Sequence, residues 1–315
     1  MKNFRNIIGL TITVIILISC TVTKNFNKTN YHDLITFPGT IKISGDLYCD
    51  ETEMINLDWI EYMSWTEKIF GKNSKEYIST LPDTTVWVKY DSTLKQFVNY
   101  YLRYPAYYDY PVVGVSQEQA ITYSKWRSDR VFEIILIKCG SLKFDSSQRK
   151  EMYFTTERYF SGTYKDIIPD TNFKYYPYYR LPSLSERQRI LSYSDSVDNH
   201  YFSKNKAKNF KKRKSLYPEL ESYITRSSKD NILIVPVPTV SVTFGWVSSK
   251  ANPIYNLRGN VSEWTLEKGI SVGGGWADKK EIILKTDTFR SENQNAWTGF
   301  RNVCEWRIWN KNALQ

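Results

Sequence analysis

Apolar and polar residues along this chain fall into short segments separated by turn residues, and the period changes from one segment to the next. Thr40 to Cys49, TIKISGDLYC, alternates around Ser44-Gly45-Asp46 and predicts a hairpin or two short strands. ETEMINLDWIEYMSWTEKIFG then takes a helical period: Asn56 suits an N-cap, Trp59, Met63 and Phe70 share a stripe, and Gly71 ends it. Thr84 to Tyr90, TTVWVKY, predicts a strand. A loop rich in Pro and Tyr, PAYYDYPVVGV, leads into Val112, Val113 and Val115. Ser116-Gln117-Glu118-Gln119 is a capping box that opens a helix with Ala120, Tyr123 and Trp126 inward. Val131 to Lys138, VFEIILIK, predicts a strand or a buried helix turn. A second capping box, Ser183-Leu184-Ser185-Glu186, starts another helix after Arg180-Leu181-Pro182. From about Ser203 to Leu216 runs a Lys- and Arg-rich stretch with almost no apolar content, which predicts an exposed insertion loop. Ile232 to Ser249 reads as a strand whose two prolines suit an edge. The C-terminal part is rich in Gly and Trp with little helical periodicity. Few long elements and much ordered loop predict one α+β domain with low regular secondary structure.

The N-terminus departs from this pattern. Lys2 and Arg5 precede an apolar run, Ile7 to Ile18, too short to span a bilayer comfortably and of the length of a signal-peptide core. It ends in Leu17-Ile18-Ser19-Cys20, which resembles the bacterial lipobox. A small residue before the cysteine lets the peptidase approach, and the thiol accepts a diacylglyceryl group. Several acyl chains on one residue anchor stably where a single chain does not. The alternative is an ordinary signal peptide with an incidental cysteine. The expected organisation is a signal peptide over 1–19, a lipidated tether over 20–35, a domain over 36–309 with the basic insertion near 203–216, and a tail over 310–315. The expected location is the bacterial cell envelope, lipid-anchored in the outer membrane. The domain is expected to face the periplasm, since no acidic cluster follows Thr21.

A chain of 315 residues, 41% hydrophobic and 16% aromatic, has enough for a sizeable core and is not a disordered chain. The formal charge of +10 suits acidic partners such as nucleic acid, anionic lipid or acidic polysaccharide. Its local concentration suits a solvated surface, and nucleic acid is not expected outside the cytoplasm. With Cys20 lipidated, Cys49, Cys139 and Cys304 remain, an odd number with no CxxC among them. Their apolar and aromatic neighbours suit buried packing better than reactivity.

Six blocks then occur in a fixed order. They are Glu53-Met54-Ile55-Asn56 with Trp59 and Tyr62, and Pro111 to Ser116 with Ala120, Tyr123 and Trp126. Arg180-Leu181-Pro182-Ser183 with Glu186 follows, then Gly259-Asn260-Val261-Ser262-Glu263-Trp264, Gly273-Gly274-Gly275-Trp276 and Thr298-Gly299-Phe300-Arg301. Each is weak alone; the ordered set resembles the sulfatase-modifying-factor family, whose namesake is the formylglycine-generating enzyme. The resemblance covers roughly Phe37 to Val303 and implies that family's irregular α+β domain, related to the C-type-lectin-like fold. A narrower resemblance lies in Pro82 to Trp87 and Tyr104 to Val115, which look like the gliding-motility lipoproteins J and K of Bacteroidota. Lipoprotein K is a ring component of the type IX secretion machine.

The resemblance also implies where chemistry belongs. In the enzyme, two cysteines shortly after G-G-S-W bind copper(I), which requires soft thiolates. Aligned without gaps, this chain has Asp278 and Ile283 there, and Gly275 in place of the serine. The family's other catalytic branch uses an iron held by three histidines, and this chain has only His32 and His200. No copper or iron is therefore expected. The family's calcium loop coincides with 256–263: Asn256, Gly259 and Val261 would ligate through oxygen atoms and Glu263 through its carboxylate. The alternative is an unmetallated loop in which Arg258 or a water satisfies Glu263. Gln117, Arg187 and Ser262 stand where the family has tryptophans, which implies a substrate groove remodelled or filled in. The expected function is a non-catalytic envelope lipoprotein using this domain as a protein-binding or structural module, with the resemblance pointing to gliding motility or type IX secretion. Its expected partners are envelope or secretion-machine proteins and the membrane through the lipid anchor, with no small-molecule substrate identified. The competing reading is an enzyme acting on protein or peptide cysteines, with Cys304 or another residue as its reactive group.

Overall fold

Gly45, with φ +53°, turns the chain tightly enough for β1 (Thr40–Ser44) to pair antiparallel with β2 (Leu47–Asp50), as the alternating pattern predicts. The computed structural model describes residue 31 and residues 35–204, 238–243, 254–279, 288–290 and 293–310. The apolar N-terminal run, Cys20, His32, the basic run beyond Lys204 and Ile283 lie outside the described residues. β2 continues the sheet by pairing with β8 (Val303–Ile308), and β8 pairs with β3 (Tyr175–Arg180), giving the order β1-β2-β8-β3. Pro177 is tolerated in β3 because that strand lies at the edge. The second sheet runs β6 (Thr288–Arg290), β5 (Ile270–Val272), β4 (Ser262–Trp264) and β7 (Thr298–Gly299), with only β4 and β7 parallel.

The helices follow the sequence with two corrections. α1 (Asn56–Phe70) ends at Gly71 as expected, but Ile55 is its cap and Asn56 is its first residue. The Asn56 amide instead donates to Tyr101 O at 3.1 Å and Tyr107 O at 2.9 Å, fastening the helix start to the tyrosine loop. Its buried stripe is Trp59, Tyr62, Thr66 and Ile69, the 3–4 spacing of a helix face; Met63 and Phe70 flank it, half-buried. After the short α2 (Lys75–Ile78), Val86–Tyr90 is the helix α3 rather than a strand. Asp83 accepts from both the N–H and the hydroxyl of Thr85, which starts a turn, and Val86 and Trp87 are buried together while Val88 is exposed. A strand would put neighbours on opposite faces. Of the strand read over Ile232 to Ser249 only 238–243 is described, and it runs in bends and turns; the rest lies outside the described residues.

After α4 (Phe97–Tyr100), the capping box forms at the start of α5 (Gln117–Lys138), where Gln119 N donates to Ser116 Oγ and Ser116 N to Gln119 Oε1. Of the two readings of Val131 to Lys138, the helical one holds: Phe132, Ile135 and Leu136 are buried and Ile134 is exposed. α6 (Thr156–Phe160) packs beside it, and the second capping box opens α7 (Leu184–Lys204), with Glu186 also held by Arg180 through two hydrogen bonds of 2.6 and 2.7 Å. α1 and α5 meet in an aromatic core where Trp59 stacks on Tyr123 at 5.4 Å and Phe300 closes the edge. Such ring pairs contribute about 0.5–1.5 kcal/mol beyond burial of their area. Among the described residues no helix is long and apolar enough to cross a membrane.

Candidate functional site

The loop before β4 bends through left-handed backbone at Asn256 (φ 49°), Gly259 (φ 83°) and Asn260 (φ 59°). Asparagine tolerates this region better than other non-glycine residues. The two asparagine amides both reach Glu53: Asn256 Nδ2 donates to Oε2 at 3.2 Å and Asn260 Nδ2 to Oε1 at 3.0 Å. The same amides donate to Val242 O and Val240 O, and Asn260 Oδ1 accepts from Val240 N. Glu53 is therefore a buried post for the loop before β4, and the two asparagines tie that loop to the segment of Val240 and Val242. Burial pushes its carboxyl up to about 8, with Arg301 opposing the shift and Glu263 adding to it.

Arg301 supplies the positive charge of this network. Its Nε donates to Glu263 Oε1 at 2.7 Å, and both side chains are only 1% exposed. The remaining nitrogens donate to the main-chain oxygens of Asp50, Glu51 and Tyr255, at 3.1, 3.3 and 2.7 Å. One guanidinium thus joins the end of β2, the loop and the approach to β8. Glu263 Oε2 is buried and has no hydrogen-bond partner among the described residues.

Of the calcium candidates, Asn256, Gly259 and Val261 lie along the loop before β4 and Glu263 on β4 itself, and the Asn256 amide is turned to Glu53 and Val242 O. Arg258, the alternative partner for Glu263, instead faces Asp195 at 3.6 Å, and Arg301 stands against the carboxylate. The orphaned Oε2 is an oxygen that a hard cation would satisfy, so the donor chemistry fits the family's calcium. Among the described residues no group of three or more His, Cys, Asp or Glu is arranged to hold a metal, a demand that calcium on one carboxylate and main-chain carbonyls does not make.

The copper positions have a different fate. Gly275 N donates to Asp278 Oδ2 at 2.8 Å and Asp278 N to Gly275 O at 3.0 Å, so Asp278 closes the turn that contains it. A Cβ on Gly275 would lie 2.5 Å from Trp297 O, so the loop packs more tightly than the family's serine allows. Trp276 is fixed by Nε1 donating to Ala296 O at 2.8 Å and by stacking with Trp87, and it touches Tyr90 and Trp297 edge-on. Ile283 lies outside the described residues.

The three positions where the family has tryptophan carry polar cross-links instead. Gln117 donates to Thr265 O and Glu267 O and accepts from Gly269 N, which grips the turn between β4 and β5. Ser262 donates to Ser271 Oγ at 2.7 Å across the same pair, and the buried Arg187 donates to Leu257 O. Cys49, Cys139 and Cys304 form no disulfide with one another. Burial pushes the Cys49 thiol up to about 12 and that of Cys304 well above its ordinary value. Cys304, the residue named in the competing reading, is 1% exposed inside the first sheet, a setting that suits packing better than reactivity.

Sequence reasoning missed Glu53, Asn260 and Arg301 as partners, although each sits in one of the six blocks. The available signal was polar residues embedded among apolar ones, as in Gly259-Asn260-Val261 and Gly299-Phe300-Arg301. No curated protein matches the chain. Its structure is similar to one titled "Crystal Structure of CarF", with 14% identity and a TM-score of 0.33, covering 84% of this chain and 87% of that one. The family model of the sulfatase-modifying factor enzyme 1-like domain matches residues 25–306. This chain belongs to the sulfatase-modifying-factor family.

Proposed function

We propose that the protein is a non-catalytic lipoprotein of the bacterial cell envelope that uses this domain as a protein-binding or structural module. Asp278 carries the reading. Where the family resemblance places a copper thiolate, this chain has a carboxylate bonded to its own turn, and the next ligand position is an isoleucine. Copper(I) finds no soft donor in that pair. Burial of Cys49 and Cys304 leaves neither thiol as a substitute. The cross-links of Gln117, Ser262 and Arg187 support a groove rebuilt for another partner. Cys20 would hold the protein to the outer membrane, facing the periplasm. The resemblance to gliding-motility lipoproteins makes components of the type IX secretion machine the partners of choice. A structural calcium at Glu263 belongs to the same proposal, with Asn256, Gly259 and Val261 as its further oxygen donors.

The test takes the purified full chain through copper analysis and an assay for conversion of a peptidyl cysteine to formylglycine. It also crosslinks the protein in intact envelopes. The expected result is no stoichiometric copper, no aldehyde and a specific envelope protein on the crosslink. Stoichiometric copper or aldehyde overturns the non-catalytic reading, and a crosslink that returns nothing specific overturns the binding role.

A further inference from the structure

We propose that the end of the domain around Tyr31 is a membrane-docking face whose occupant is the surface of the bilayer that anchors Cys20. The inference rests on the lipid-anchor reading and adds an orientation to it. Cys20 lies eleven residues before Tyr31. An extended chain covers at most about 3.6 Å per residue, so the acylated residue is within about 40 Å of this point. Tyr31 is firmly seated. It is fully buried, its ring centroid lies 4.5 Å from that of Phe173 and 5.4 Å from that of Trp306, and its hydroxyl accepts from Tyr175 N at 2.8 Å. The chain that carries the anchor therefore joins the domain here, beside β3 and β8.

Two loops close over the Tyr31 cluster, one through Leu142 and the other through Tyr164 and Phe173. They are tied to each other by Ser141 Oγ donating to Asp170 Oδ2 at 2.8 Å and by the ion pair of Lys165 with Asp145. Each turns an apolar side chain outward. Phe144 is 75% exposed and Ile168 88%, the highest values for large hydrophobics among the described residues. Ile308, at 59%, stands on β8 opposite Tyr175, whose backbone holds the Tyr31 hydroxyl. Lys138, Lys143 and Lys174 are exposed around these tips; Lys165 is paired with Asp145, Asp170 is engaged by Ser141 and Asn172, and Asp166 stands exposed beside Lys165.

Separate apolar tips among lysines match the boundary between headgroups and acyl chains. Phenylalanine and isoleucine enter the boundary, and the ammonium groups meet lipid phosphates. The three side chains stand apart, two on different loops and one on a strand, so each can enter the boundary by itself.

The test uses the full chain, acylated at Cys20, in vesicles of phosphatidylethanolamine and phosphatidylglycerol. Hydroxyl-radical footprinting compares it with the Cys20→Ser chain free in solution. Phe144, Ile168 and Ile308 are expected to be oxidised several-fold more slowly on vesicles. Tyr100 and Tyr104, which lean through Tyr107 on the separate cluster around Phe97, are expected to keep their rates. Equal oxidation of Phe144 and Ile168 in both states overturns the docking face. Mass analysis of the peptide bearing Cys20 judges the anchor separately. If Cys20 carries no lipid the anchor reading fails alone, and the face is then decided by co-sedimentation of the Cys20→Ser chain with the same vesicles. Adding Phe144→Ser and Ile168→Ser should lower that co-sedimentation several-fold, and an unchanged value overturns the proposal.

Discussion

Replacing Arg301 by methionine tests whether one internal cation closes the loop onto the first sheet. Methionine keeps an unbranched stem and removes every N–H. In the native protein the guanidinium pairs with Glu263 and donates to three main-chain oxygens, with 1% of the side chain exposed. In EDTA, which removes the cation proposed at Glu263, the carboxylate of Arg301→Met stays buried with no donor on either oxygen among the described residues, because Oε2 already has none. Breaking a buried pair from one side costs roughly 3–5 kcal/mol. A domain has a total stability on the order of 5–15 kcal/mol, so the loss is a large part of the whole. Glu263→Gln should cost less, since the guanidinium keeps its three carbonyl partners. The double variant removes both charges, so its loss should fall short of the sum of the singles by about 1–3 kcal/mol. Urea unfolding followed by tryptophan fluorescence measures all four proteins, and equal m-values license the comparison. A loss below about 1 kcal/mol in Arg301→Met, or strict additivity in the double variant, refutes the reasoning.

Glu53 makes stability depend on pH. The folded chain keeps its proton to about pH 8 and the unfolded chain releases it near 4.5, so between those values the folded state holds more proton. Stability therefore falls as pH rises through that window, by at most about 1.4 kcal/mol per pH unit. Glu53→Gln, which resembles the protonated carboxyl, should flatten a melting-temperature profile across the window, and an unchanged slope assigns the effect elsewhere. Chelation with EDTA should lower the melting temperature, and the shift should vanish in Glu263→Gln; a native protein indifferent to chelator has no calcium at this loop. Gly275→Ser restores the family's residue, yet its Cβ would sit 2.5 Å from Trp297 O, so a loss of about 1–3 kcal/mol is expected in the same urea assay. A neutral result there would mean that the loop relaxes freely.

The parts of this fold that sequence made legible are those in which neighbours along the chain decide the structure. Ser116 with Gln119 and Ser183 with Glu186 are three residues apart, so each capping box carries its own partner. The segment Thr84 to Tyr90 misled because seven residues fit either period, and the choice was made by Trp87 packing on Phe97 and Tyr101, with Trp276 from a distant loop stacked beside it. Arg301 and Glu263 are 38 residues apart and Asn260 and Glu53 are 207 apart, so no local pattern announces either contact. These long-range partners nevertheless all fall inside the blocks that carry the family resemblance. Glu53, Asn260, Glu263 and Arg301 build the buried polar frame, whereas Asp278 and Ile283 lie in the stretch that follows Gly275 and Trp276. A buried charge network fails if one member is changed alone, since each loss leaves another group unsatisfied. The positions after Trp276 carry no such obligation: a thiol there would serve chemistry, while the turn needs only an acceptor for Gly275 N, which Asp278 provides. The frame and the chemistry are thus held by different residues under different constraints, and a chain can keep every block of the first while replacing both positions of the second.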